Sequence, residues 1–95
     1  MEHLYLYGRA GCQLCDEARS LITDLLAQRA AAGLPTPTVI ERDIDTDEDW
    51  QRAFMASIPV VELGGQRLEL AVSPRKLRRL LADVLDTPEP VAPRV

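Results

Sequence analysis

Two short apolar runs, His3–Tyr7 and Thr38–Ile44, flank a segment patterned as one long helix, and this spacing constrains the fold more than any other feature of the chain. Along His3–Tyr7, Leu4 and Leu6 alternate with Tyr5 and Tyr7. Both faces are therefore apolar, as in a central strand covered on each side. From about Cys12 to Ala32, the residues Ala18, Leu21, Ile22, Leu25 and Leu26 recur at helical spacing and make one buried stripe. Gly33 suits a left-handed cap, and Pro35 blocks continuation. Thr38–Ile44, carrying Val39 and Ile40, is the second strand, and a helical crossover predicts that it runs parallel to the first.

The remainder predicts a hairpin closed by a helix. Thr46 is placed to cap a second helix, whose first turn holds Asp47, Glu48 and Asp49 at its positive end. Trp50 and Phe54, one turn apart, are its anchors. Ile58–Leu63 and Gln66–Leu70 are joined by Gly64-Gly65, a strong two-residue turn signal. That turn sets Val61 opposite Leu68 and Glu62 opposite Arg67, so apolar and opposite-charge pairs agree on one register. Arg67 and Glu69 suit an exposed edge strand. Ser73-Pro74 opens a last helix in cap-then-proline order, with Leu77, Leu80, Leu81 and Val84 facing inward. The order β-α-β-α-β-β-α describes an α/β fold with a four-stranded mixed sheet and helices on both faces. Residues 1–86 form one domain, and 87–95, punctuated by Pro88, Pro90 and Pro93, read as a flexible Pro-rich tail.

Composition narrows the function. A chain of 95 residues, 46% hydrophobic, supports one domain with a single modest core. Its net charge of -4 argues against a nucleic-acid or anionic-membrane surface, which needs a basic excess. No apolar run approaches the ~18 residues of a membrane span. Met1–Gly8 lacks the basic and apolar regions of an export signal. The expectation is a soluble cytoplasmic monomer.

The chain has two cysteines, Cys12 and Cys15, at the start of the first helix. As a structural staple the pair is weak: such bridges are rare in the cytoplasm, and so short a loop constrains the unfolded chain little. A structural zinc site wants four Cys/His ligands. Only His3 stands beside the two cysteines, so zinc or an iron–sulfur cluster would need a second chain or an external thiol. Two merely buried cysteines would leave the spacing unexplained. A CxxC beside a βαβ pattern is the signature of a redox pair. At a helix N-terminus, exposed N–H groups and partial positive charge favour the Cys12 thiolate. Arg9 adds a nearby cation, while Asp16 and Glu17 oppose the effect. Cys15, one turn deeper on the same face, is within reach of a mixed disulfide at Cys12.

The strand and helix start "LYGRAGCQLCDEA", the strand "VIERDID", the segment "IPV" and the "GG" hairpin together resemble the glutaredoxin-like proteins of the thioredoxin superfamily. The small bacterial type with a GCxLCDxA motif is most similar, over about Glu2 to Val84. The resemblance implies a thioredoxin-like fold and a thiol–disulfide oxidoreductase that needs no cofactor and no metal, with Cys12 and Cys15 catalytic. It further implies a cis peptide bond before Pro59, beside the cysteine pair, with Arg9, Gln13, Leu14, Ile58 and Pro59 bordering the substrate. Taken alone, Pro59 would read as a tolerated strand start.

The family's glutathione site is only partly matched. Gln13 and Leu14 stand where a CPYC motif has proline and an aromatic residue. Ala71-Val72-Ser73-Pro74 replaces a Gly-Gly-Asp type segment, adding bulk where backbone should approach a ligand, and Pro74 lacks an N–H. The expected partners are therefore protein or small-molecule disulfides and a reductase as electron donor, with glutathione poorly accommodated. The alternative is a non-catalytic thioredoxin-fold module that senses redox state or completes a partner's metal or cluster site. Pro59 beside the CxxC favours catalysis. Arg75, Lys76, Arg78 and Arg79 read as a solvated face, with a docking patch for an acidic partner as the sharper alternative. Trp50 and Phe54 read as packing residues, His3 as an ordinary strand residue, and Tyr5 and Tyr7 as core, with Tyr7 bordering the site.

Overall fold

A computed structural model describes residues 2–86. The expected tail, 87–95, lies outside the described residues. Strand β1 (His3–Gly8) leads into helix α1 (Gln13–Ala31). The chain returns through strand β2 (Thr38–Asp43) parallel to β1, with Leu4 beside Val39 and Leu6 beside Glu41. Gly33, at φ +73°, makes the left-handed exit from α1. A single 3₁₀ turn (Ile44–Thr46) precedes helix α2 (Glu48–Phe54). Strands β3 (Val60–Leu63) and β4 (Gln66–Leu68) form the hairpin, and helix α3 (Pro74–Leu81) closes the domain through a π-helical turn (Ala82–Asp86). The sheet order is β2-β1-β3-β4, with β3 antiparallel to β1 and β4 at the edge.

The two faces of β1 belong to two cores. Leu4 and Leu6 join Val61 and Leu63 beneath Ala18, Ile22 and Leu25 of α1 and Leu77, Leu80 and Leu81 of α3. Tyr7 joins Ile44, Phe54 and Val60, with Tyr5, Trp50 and Ile58 packed against them. Helices therefore cover both faces of a four-stranded mixed sheet, as the order of elements predicted. The hairpin register is also the expected one: Val61 faces Leu68 and Glu62 faces Arg67, whose Nη2 lies 2.9 Å from Glu62 Oε2. Ser73 caps α3 by accepting the Lys76 N–H at 3.2 Å, with Pro74 at the first helical position.

Four local expectations are corrected. Strand β3 begins at Val60 rather than Ile58, because the Ile58 N–H is taken by the Phe54 carbonyl and Pro59 has no N–H to give. The cap of α2 is Asp47, not Thr46: its carboxylate accepts the N–H groups of Asp49 at 2.8 Å and Trp50 at 3.2 Å. A carboxylate carries acceptors for two orphan donors, whereas the Thr46 hydroxyl donates back to the Asp43 carbonyl. Strand β2 stops at Asp43, because Ile44 turns fully into the second core. Strand β4 stops at Leu68, since Leu70 takes φ +49° and gives its N–H to the Ser57 carbonyl at 3.0 Å.

One charged side chain belongs to the interior. Arg29 is only 9% exposed and occupies the next position of the stripe made by Ala18, Ile22 and Leu25. Its Nε donates to the Pro35 carbonyl at 2.9 Å, and its two Nη atoms pair with the Asp86 carboxylate. A buried guanidinium is stable only when its donors are satisfied in this way.

Candidate functional site

The site forms where β1 gives way to α1. Gly8 ends the strand, and Gly11, at φ +75°, bends the chain into the helix, a conformation a side chain would resist. Cys12 is then the N-cap of α1, with extended backbone, and its Sγ accepts the Cys15 N–H at 3.1 Å. Cys12 and Cys15, with Cα atoms 5.2 Å apart, are joined as a disulfide. Their exposures differ. Cys12 is partly open to solvent, whereas Cys15 is 1% exposed. What buries Cys15 is in part Gly8: a Cβ placed there would approach Cys15 Sγ to 3.0 Å and its Cβ to 3.1 Å.

The hydrogen bond to Cys12 Sγ matters chemically. A backbone N–H aimed at sulfur favours the charged thiolate over the thiol, and the helix terminus acts in the same direction. Asp16, which opposes it by charge, is engaged by Arg19, whose Nη1 lies 2.8 Å away. Arg19 also reaches Glu41 of β2 at 2.9 Å. These groups line a polar cavity of about 270 Å³ that ends on Cys15 and Gly8.

The Ser57–Pro59 segment leads into β3. The Ile58–Pro59 peptide bond is cis, as the resemblance implied. Pro59 is buried and directly precedes Val60, which pairs with Tyr7, so it lies at the end of the sheet where β1 enters the cysteine loop. The segment is held on both sides. Ile58 N–H donates to the Phe54 carbonyl at 3.1 Å, and the Pro59 carbonyl accepts from Ala71 N–H at 2.8 Å. Ile58 packs against the second core. Gln13 and Leu14 lie in the first turn of α1, both exposed, with Leu14 at 43%.

Arg9 is positioned differently from a free cation. Its guanidinium grips the Asp45 carboxylate with both ends, Nη2 to Oδ1 at 2.5 Å and Nε to Oδ2 at 3.2 Å. Asp45 also accepts from Gln51 at 3.0 Å. The hydrogen bond from Arg9, then that from Gln51, holds the Asp45 carboxyl below the usual carboxylate range, while Asp45 raises the Arg9 guanidinium further. The loop before Cys12 is thus tied to the turn before α2. Tyr7 is buried in the second core, its hydroxyl donating to Glu62 at 3.0 Å and accepting from Arg42 at 2.9 Å. Burial is the main reason its phenol is pushed up.

Three residues of this region escaped sequence reasoning in their present roles. Asp45 as partner of Arg9 is a tertiary pairing without local signal. Gly8 reads as a bend in sequence, and only its contact with Cys15 shows a packing role. Leu70, 53% exposed at positive φ, carries no side-chain signal for that conformation.

No curated protein matches the chain. Among solved structures, it is similar to the structural-genomics target protein XcR50 from X. campestris, with 30% identity and a TM-score of 0.63, over 84% of this chain and 96% of that one. A malarial protein matches at 20% identity and TM-score 0.64, over 90% and 98% of the two chains. The germline-specific thioredoxin Deadhead of Drosophila melanogaster matches at 21% identity and TM-score 0.60, over 88% and 81%. The last two share the fold, which is that of thioredoxin. Residues 3–85 match the glutaredoxin-like domain (DUF836), so the chain belongs to the glutaredoxin-like domain family.

Proposed function

We propose that the protein is a thiol–disulfide oxidoreductase in which Cys12 attacks and Cys15 resolves. One observation carries this reading: the two sulfurs of a single pair differ in access. Cys12 is the partly exposed cap whose sulfur receives an N–H, while Cys15 is 1% exposed behind it. In the reduced protein the Cys12 thiolate attacks one sulfur of a substrate disulfide, forming a mixed disulfide and expelling the first substrate thiolate. Deprotonated Cys15 then attacks Cys12 Sγ, forming the Cys12–Cys15 bond and expelling the second. Two electrons pass to the substrate, whose two thiolates take up protons matching those lost from the cysteines. A reductase or dithiol donor returns the electrons.

The preferred substrates are protein or small-molecule disulfides rather than glutathione adducts. In support, Ser73 and Pro74 occupy the start of α3 with a side-chain cap and a residue lacking N–H, and Arg9 is committed to Asp45. Both leave fewer donors for a glutathione carboxylate. Ile58, Pro59, Gln13 and Leu14 would border the substrate, and the cytoplasm is the setting that keeps such a pair cycling.

The test is a Cys15→Ser variant, which should accumulate a mixed disulfide through Cys12 when mixed with an oxidised peptide. The wild type should reduce that peptide with a thioredoxin-reductase system faster than with glutathione. Absence of any trapped adduct, together with no reduction of model disulfides by the wild type, would overturn the reading in favour of a non-catalytic module.

A further inference from the structure

Far from the cysteines, the C-terminal half of α1 and helix α3 enclose a cavity of about 500 Å³. Leu25 and Leu81, 4% and 1% exposed, form its floor, and Leu34, 43% exposed, forms a wall. Arg75, Arg78 and Arg79 of α3 line the other side. Positions 12 and 25 are separated by roughly 20 Å of helix, so this groove is separate from the cysteine pair.

The arginines supply the argument. Arg29, which also lines the groove, is taken by Asp86. Elsewhere in the described residues, each arginine has a partner: Arg9 has Asp45, Arg19 has Asp16 and Glu41, Arg52 has Asp49, and Arg67 has Glu62. Arg42 stacks over the Tyr5 ring at 4.0 Å. In the groove, Arg79 has only Asp83, at 3.8 Å. Arg75 and Arg78 have no carboxylate partner among the described residues, in a chain with a net charge of -4. Two guanidiniums without a carboxylate partner among the described residues, one helical turn apart, thus border an apolar floor. The volume falls in the range of small-ligand pockets, roughly 300–1,000 Å³.

We propose that this groove binds a small amphipathic carboxylate, its apolar body on Leu25, Leu34 and Leu81 and its charge on Arg75 and Arg78. Guanidinium forks match carboxylates bidentately, and the neighbouring leucines lower the competition from water. Binding is independent of the redox reading. It should be the same in the Cys12→Ser protein, so failure of one leaves the other standing.

The test uses the full chain, titrated with decanoate below its micellar concentration and followed by backbone amide NMR and calorimetry. Saturable binding is expected, with shifts at Leu25, Leu34, Arg75 and Arg78, and decanol should bind roughly tenfold or more weakly. An Arg75→Ala/Arg78→Ala variant, altered only at exposed positions, should lose a similar factor while keeping its circular dichroism spectrum. Raised salt should weaken the decanoate complex. Four outcomes overturn the proposal: no saturable binding, equal binding of decanol and decanoate, undiminished binding by the double variant, or shifts confined to residues outside the groove. A dimer that forms and masks the groove would overturn it as well, making a second copy the occupant.

Discussion

Arg29 and Asp86, 57 positions apart, tie the end of the first helix to the end of the last through a two-pronged ion pair. The pair fastens the two helices that cover one face of the sheet, and the Pro35 carbonyl completes the guanidinium's partners. Its arginine is interior, and its carboxylate is partly open to solvent.

Arg29→Ala removes these hydrogen bonds and the packed stem together. Unfolding in urea should show a loss of roughly 1–3 kcal/mol. A loss under about 0.5 kcal/mol would mean that the pair is no more than a surface contact.

At Gly8, an added methyl meets Cys15 Sγ at 3.0 Å, and that sulfur is buried and joined to Cys12. Gly8→Ala should therefore destabilise the oxidised protein by roughly 1–3 kcal/mol, the usual cost of overfilling a packed site. The reverse change at exposed Ala56, Ala56→Gly, fills no packed site and should cost only the backbone-entropy term of roughly 0.5–1 kcal/mol. Equal responses at the two positions would contradict the contact.

Much of this architecture was legible in the residues, for reasons that can be named. The βαβ half follows from period and length. The hairpin register follows because Val61 with Leu68 and Glu62 with Arg67 favour the same alignment. Ser73-Pro74 and Gly33 are local signals read by local rules. The cis bond before Pro59 came from the family resemblance, since its bare sequence allows an ordinary strand start. What stayed hidden is tertiary. Arg29 interrupts an apolar stripe and becomes interior only because Asp86 arrives from another helix. Arg9 meets Asp45 across 36 positions, and Thr46 lost the cap to a neighbour with a better acceptor.

Thiol labelling checks the division of labour between the cysteines. In the reduced protein, iodoacetamide should modify Cys12 first. A Cys15→Ser variant should react roughly tenfold or more faster than a Cys12→Ser variant, as expected for an open, thiolate-favouring position against a buried one. Equal rates, or prior modification of Cys15, would reverse the assigned roles.

The pH dependence of stability has a defined sign. Asp45 is held below the usual carboxylate range first by its hydrogen bond from Arg9, and Asp86 by its hydrogen bond from Arg29. Both are depressed in the folded state, so their stabilisation is complete above the ordinary carboxylate pKa, near 4, and is lost as pH falls through the lower folded values. Urea midpoints should fall on acidification below about pH 4. Asp45→Asn and Asp86→Asn should each be weaker at neutral pH and flatter in acid; an unaltered acid slope would remove both from the account. Tyr7 has the opposite sense. Burial raises its phenol, so its contribution is present below its ordinary value, near 10, and fades as pH climbs through the raised one.

Cys12 Sγ is at once one end of the disulfide and the acceptor for the first turn of α1. Electron transfer and helix fraying therefore share a single atom. Whatever bonds to that sulfur alters how firmly the Cys15 amide proton is held, so its exchange with solvent deuterium becomes a label-free gauge of the protein's oxidation state.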